Sequence, residues 1–77
     1  MKLQVRLRGG LERYAGNYQG YQEITLPDGS AVSQLMELYP FAKGEVGLIV
    51  LNGELVAPDT GLSEGAQVEL YPVFGGG

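Results

Sequence analysis

The sequence ends with LYPVFGGG, and Gly75, Gly76 and Gly77 are the residues whose type and spacing best suit a chemical role. Glycine loses more backbone freedom on ordering than any other residue, so a run of three contributes little to holding a domain together. A segment without Cβ atoms can, however, enter a narrow channel, and the α-carboxylate of Gly77 is expected to be ionised at neutral pH. Transfer of a nucleotidyl group to this carboxylate would turn a weak electrophile into a mixed anhydride, which a sulfur or nitrogen nucleophile can attack. Either these glycines are a frayed end without a role, or Gly77 is the reactive position.

The residue types that most often carry catalysis are missing, because the chain has no cysteine and no histidine. It thus has no thiol nucleophile, and no imidazole for acid–base catalysis or metal binding. Neither a GxSxG elbow nor a GxxxxGK[ST] phosphate-binding loop occurs in the sequence. We expect a protein that is not an enzyme, binds no cofactor of its own and holds no metal.

The charge balance argues against nucleic acid as a partner, since nine acidic residues outnumber five basic ones and give a net charge of −4. No apolar run approaches the roughly 20 residues needed to span a bilayer. The first residues, MKLQVRLRGG, alternate polar with apolar and lack the apolar block of a signal peptide. We expect no membrane association and a cytoplasmic location.

Local patterns predict the elements that carry the glycine tail. Residues 2–8 alternate polar and apolar, which is typical of a strand with one buried face. Residues 9–20 form a glycine-punctuated connection in which LERYA could make one helical turn, and residues 21–26 alternate again. The PDG turn then places Ser30 as the N-cap of an amphipathic helix, which Pro40 should end.

The second half of the chain predicts strands and turns. The apolar run 48–51 indicates a strand covered at least partly on both faces, and Asn52-Gly53 is the strongest short signal for a β-hairpin. Leu62, within a polar and turn-rich segment, should plug the core. Residues 66–73, AQVELYPV, alternate again and form the last strand.

The order β, β, α, β, β, β with one helix predicts an α+β fold of the β-grasp, ubiquitin-like type. In this fold one main helix packs on one face of a mixed sheet of four to five strands, and the last strand lies near the first. We predict a single β-grasp domain over residues 1–72, followed by a flexible C-terminal glycine tail over residues 73–77.

Two segments of the sequence resemble the MoaD/ThiS family of ubiquitin-like sulfur carriers. LPDGSAVSQLMEL is similar to the helix-entry segment of that family. VLNGELVAPDTGLSEGAQVELYPVFGGG is similar to its C-terminal half, with N-G-E, a P-D-T turn, L-x-x-G, a V-x-L strand, Pro-Val and terminal glycines. Together the two segments cover more than half of the chain.

The resemblance implies a protein co-substrate rather than an enzyme. In such proteins the C-terminal glycine, here Gly77, is adenylated by an E1-like enzyme that uses ATP and is then converted to a thiocarboxylate. Gly75 and Gly76 would thread the partner's channel, with Pro72, Val73 and Phe74 as further partner contacts. The sulfur would pass to a biosynthetic enzyme, which is the large subunit of molybdopterin synthase or thiazole synthase, and the Pro-Val before the glycines favours molybdopterin.

Several alternatives stay open at the level of sequence. Gly77 could instead be joined to lysines of other proteins, as in a ubiquitin-like modifier, or the chain could be a β-grasp interaction module with an inert, frayed tail. Phe74 could anchor in a partner's groove or pack on the domain's own rim. The sulfur donor, the oligomeric state and the role of a third glycine are not indicated by any motif.

Overall fold

A single mixed sheet of five strands forms the body of the protein in the computed structural model, which describes residues 1–73. The elements in chain order are β1 (Lys2–Leu7), a 3₁₀-helix (Leu11–Ala15), β2 (Gln22–Thr25), α1 (Val32–Met36), β3 (Val46–Leu51), β4 (Glu54–Leu55) and β5 (Gln67–Pro72). The strands are ordered β2-β1-β5-β3-β4, with β1 and β5 parallel and the other neighbours antiparallel. The predicted β-grasp architecture, with the last strand beside the first, is confirmed.

The core lies between one face of the sheet and the layer that holds α1 and the 3₁₀-helix. Alternation puts Leu3, Val5 and Leu7 of β1 on this inner face, where each is at most 2% exposed. The other buried apolar residues are Leu11, Leu26, Val32, Leu35, Ile49, Leu62, Ala66, Val68 and Leu70. Leu62 therefore plugs the core as predicted, and the opposite, outer face of the sheet has no helix over it among residues 1–73.

The hairpin between β3 and β4 forms where Asn52-Gly53 predicts it. Both residues have positive φ, 49° and 87°, which is the combination that a type I′ turn requires and that Asn and Gly tolerate best. The turn sets the register Val50 opposite Leu55 and Leu51 opposite Glu54. A backbone hydrogen bond from Val56 N to Ile49 O continues the ladder at 3.0 Å.

The helix begins at a different residue from the one that the sequence predicts. Ser30 is buried, and its hydroxyl donates to Pro27 O at 2.7 Å, while Ala31 is the extended residue that precedes the helix. The first two helical N–H groups, of Val32 and Ser33, donate to the carbonyls of Thr60 and Pro58 at 3.0 and 2.9 Å. The prediction of a Ser30 cap was wrong because a distant loop satisfies these donors in place of a side chain.

The helix is also shorter than the sequence suggests, because it ends at Met36 and not at Pro40. Leu38 N and Tyr39 N still bond to carbonyls three residues back, so the chain tightens into 3₁₀-type turns before the proline. The stripe of apolar residues continues through these turns, and Tyr39 stacks on Phe41 with ring centroids 5.1 Å apart.

A polar network fixes the loop that leads into β3. Glu45 Oε1 accepts hydrogen bonds from the Tyr14 hydroxyl at 2.7 Å and from Ala42 N at 2.9 Å, and the second carboxylate oxygen accepts from Arg13. The Tyr14 hydrogen bond is the main cause of a lowered pKa at Glu45, with Ala42 N and the Arg13 charge acting in the same direction. The network ties the 3₁₀-helix to the residue just before Val46 and so holds the start of β3 in place.

Candidate functional site

The predicted tail leaves the domain at the end of β5. Pro72 is the last residue of that strand and lies opposite Val46 of β3, while Val73 follows it and is 66% exposed. These are the two predicted partner contacts that the structure describes. Phe74, Gly75, Gly76 and the predicted reactive residue Gly77 lie outside the described residues, and their roles stay predictions.

The neighbouring strand is irregular at the point where the tail begins. The pairing of β3 with β5 shifts between Val46 and Leu48, so that Gly47 is an extra residue in the ladder. The backbone of Pro72 and Val73 passes directly over Gly47. Sequence reasoning missed Gly47, although a glycine at the entry to an apolar strand is a known sign of a bulge or of close backbone approach.

An apolar surface lies on the outer face of the sheet, next to the start of the tail. We call it the outer patch, and it consists of Leu48, Val50, Leu55 and Tyr71. The register places Leu48 opposite Tyr71 and Val50 opposite Leu55, so these four side chains share one face. Leu55 is 69% and Leu48 is 42% exposed. The run 48–51 is therefore covered by the core on its inner face and only in part on its outer face, as the sequence predicts. Leu48 and Leu55 leave apolar surface exposed that a partner could cover.

Charged residues border the outer patch on the side of β1. Arg6 lies across from Glu69, and its Nη2 is 2.6 Å from Glu69 Oε2, while Arg8 Nη1 is 3.6 Å from the same oxygen. The hydrogen bond with Glu69 is the main cause of a raised pKa at Arg6, whose guanidinium also lies 4.7 Å from the centre of the Tyr21 ring. Arg6 and Arg8 thus share Glu69 as an acidic partner, and the apolar patch has a polar border of the kind seen around protein interfaces.

Residues 1–73 show neither a group of acidic side chains that could hold a metal ion nor a helix with the length and apolar character to cross a bilayer. The only chemistry-bearing position that the sequence singled out is Gly77, beyond the described part. The structure adds two features beside the start of the predicted tail, the bulge at Gly47 and the outer patch.

Comparisons of the whole chain with known proteins identify a family and several solved structures with a related fold. The model of the ThiS family matches residues 5–77. A solved structure described as a putative molybdopterin converting factor, subunit 1, from Pyrococcus furiosus superposes with a TM-score of 0.73 and 28% identity, covering 94% of this chain and 97% of that one. No curated protein sequence gave a significant match.

Two structures from Haloferax volcanii share the fold at lower identity. SAMP1 superposes with a TM-score of 0.76 and 17% identity, covering 100% of both chains. The HVO 2177 protein superposes with a TM-score of 0.79 and 20% identity, covering 100% of this chain and 87% of that one. At these identities the likeness shows a common ubiquitin-like β-grasp fold.

Proposed function

Because the chain belongs to the ThiS family, we propose that it is a sulfur carrier protein whose C-terminal glycine, Gly77, is adenylated and then converted to a thiocarboxylate. Members of the ThiS/MoaD group are small protein sulfur carriers and not catalysts themselves. The observation that carries the proposal is the extent of the family match, which runs from residue 5 through the glycines to residue 77.

The proposed chemistry takes place at the carboxyl carbon of Gly77, in the active site of an E1-like partner. A carboxylate oxygen attacks the α-phosphorus of ATP, pyrophosphate leaves, and an acyl-adenylate forms. A sulfide-level sulfur nucleophile then attacks the carbonyl carbon, the bond to AMP breaks, and AMP leaves with the electron pair. The product is a thiocarboxylate, which needs no side-chain thiol on the carrier and is therefore compatible with a chain that lacks cysteine.

The remaining tail residues are proposed to bring this carbon to the reactive centre. Gly75 and Gly76 carry no Cβ and suit a narrow channel, while Phe74 and Val73 would contact the mouth of the channel. Fixing the backbone of one residue costs about 1–2 kcal/mol, so surface contacts would have to offset several kcal/mol if binding orders the tail. The outer patch lies beside Pro72 and is the surface that supports this docking best.

We favour molybdopterin synthesis over thiamine synthesis as the pathway that is served. The support is the similarity to a structure that is described as a molybdopterin converting factor subunit, together with Pro72-Val73 before the glycines. The proposed partners are an E1-like adenylating enzyme and the large subunit of molybdopterin synthase. Binding assays with that subunit and with thiazole synthase in parallel test the choice, and selective binding to thiazole synthase would reverse it.

Intact mass spectrometry tests the reaction itself. The mass of the untreated protein first verifies that Gly77 is the last residue. After incubation with ATP, a sulfide source and the E1-like enzyme, the mass should rise by the difference between one sulfur and one oxygen atom, with the change confined to the C-terminal fragment. An unchanged mass together with covalent conjugates on lysines of other proteins would instead identify a ubiquitin-like modifier.

A variant within the tail separates reactivity from folding. Gly76→Val adds a branched side chain to the segment that is proposed to enter the channel, so activation should be abolished. The melting temperature should stay close to that of the wild type, because residue 76 lies outside the predicted domain 1–72. A large fall in melting temperature would show that the tail supports the fold and would contradict the proposal.

A further inference from the structure

The backbone of Val73 runs unusually close to Gly47. A Cβ atom built on Gly47 would lie 2.7 Å from Val73 Cα, 2.9 Å from Val73 N and 2.9 Å from Pro72 O. Ordinary van der Waals contacts of a Cβ atom begin at about 3.4 Å. Since all three atoms belong to the main chain, a side-chain rotation cannot relieve the clash, and any other residue at position 47 must push the strand end away.

From this contact we propose that Gly47 is a positioning residue that fixes the direction in which the C-terminal tail leaves the sheet. The proposal rests on the proposed function, in which Gly77 is the reactive residue. Gly47 has no backbone role that would otherwise demand glycine, since its φ is not positive. The close approach of the Pro72–Val73 segment is the feature that requires a residue without Cβ at this point.

The direction of the tail matters because the tail is short. The four residues from Phe74 to Gly77 reach at most about 14 Å even when fully extended. Four residues offer few backbone dihedrals with which to compensate for a displaced starting point. A methyl group at position 47 would move that starting point by roughly 0.7 Å, from 2.7 to 3.4 Å, and misplacement on the order of 1 Å can cost about 100-fold in rate.

The contact also links the tail to the surface that is proposed to dock. Gly47 is followed directly by Leu48 of the outer patch and preceded by Val46, which lies opposite Pro72. The bulge at Gly47 therefore sets the position of the tail relative to the docking surface. A displaced tail on an unchanged patch would leave partner binding intact while moving the carboxylate away from the reacting atoms.

The ATP–pyrophosphate exchange reaction of the E1-like enzyme, with the full-length protein as substrate, tests whether a change at Gly47 affects the reaction without affecting partner binding. Gly47→Ala should lower kcat by about 10- to 100-fold and leave KM within about threefold of the wild type. The matched control is Gly61→Ala, because a Cβ at Gly61 meets no atom within 4 Å and its φ is not positive. This control should behave as the wild type in kcat, KM and melting temperature.

Nuclear magnetic resonance of the isolated proteins supplies a second measurement that needs no partner. The wild type should show a nuclear Overhauser effect between the α-protons of Gly47 and the amide proton of Val73. In Gly47→Ala this effect should weaken and the Val73 amide signal should shift, whereas signals from β1 and α1 should stay in place. The melting temperature should change by less than about 5 °C.

The outcomes are distinct for the two proposals. A wild-type protein that the enzyme does not adenylate overturns the proposed function and, with it, the role of Gly47. An active wild type with an equally active Gly47→Ala variant overturns the role of Gly47 alone. A Gly47→Ala variant that melts as early as a core variant such as Val68→Ala shows that the glycine is needed for folding, which also overturns a positioning role.

Discussion

The outer patch gives the sharpest quantitative prediction, because its most exposed member can be truncated with little effect on the fold. Leu55 lies at the sheet edge in β4, and it is 69% exposed in the free protein. We predict that Leu55→Ala weakens binding to the proposed partner, the large subunit of molybdopterin synthase. The free energy of unfolding should change by no more than about 0.5 kcal/mol, as is usual for a surface substitution.

The magnitude follows from the area that a partner can still cover. Full burial of a leucine side chain is worth about 1.5–3 kcal/mol, so covering the 69% of Leu55 that is exposed is worth roughly 1–2 kcal/mol. Alanine keeps the first carbon of the side chain, which leaves a loss of roughly 1 kcal/mol, or about fivefold in Kd. Leu48 is only 42% exposed, so Leu48→Ala should cost roughly half as much binding free energy.

Isothermal titration calorimetry measures the Kd values, and calorimetric melting checks the fold of each variant. Leu38→Ala is the matched control, since Leu38 is 54% exposed but lies in the turn that follows α1, in the layer over the inner face. The same chemical change there should leave the Kd within about twofold of the wild type. An effect of Leu38→Ala as large as that of Leu55→Ala would refute the assignment of the docking surface, and so would an unchanged Kd for Leu55→Ala.

Three further predictions concern the fold that carries the tail. Leu70→Ala empties a fully buried site in the central strand and should cost about 2–5 kcal/mol, seen as a melting temperature at least about 10 °C lower; a smaller change would mean that the core collapses around the cavity. Glu45 has a lowered pKa, so its contribution is present above its ordinary value of 4.5 and is lost as the pH falls through the lower folded-state value. The melting temperature of the wild type should therefore fall towards that of Glu45→Gln on acidification, and a gap between the two that does not depend on pH would contradict the network. Gly53→Ala forces a Cβ onto a φ of 87° in otherwise open space and should cost about 1 kcal/mol, measured by urea unfolding, with Gly61→Ala as the unstrained comparison.

Much of the fold could be read from short-range patterns. The alternation in residues 2–8 predicted β1 and its buried face, and Asn52-Gly53 predicted the hairpin. These signals work because the period of a strand and the positive φ of a type I′ turn restrict residues that are neighbours in sequence. The first residue of α1 could not be predicted in this way, because backbone carbonyls of Pro58 and Thr60 took the place of the predicted Ser30 cap.

Part of the candidate site could likewise be predicted from the sequence, and part required the structure. The glycines at positions 75–77 and the chemistry proposed for Gly77 could be predicted from the sequence, since they depend on residue type and on a resemblance carried by short motifs. The outer patch was visible only as an apolar run, 48–51, that called for partial cover on both faces. Which side stays open depends on α1 packing on the inner face, a contact between segments far apart in the chain.

The sequence by itself determined the strand pattern and the hairpin and led to the proposal for Gly77, because each of these depends on a few consecutive residues and their local conformational limits. Only the tertiary structure decided which residues contact the strand end that precedes the proposed tail and which surface lies beside it. The pairing of β3 with β5 brings Gly47 against Val73 and Leu48 opposite Tyr71, although these residues are more than twenty positions apart. Such contacts arise from strand register and from the bulge, which are set by the packing of the whole sheet and not by any local signal.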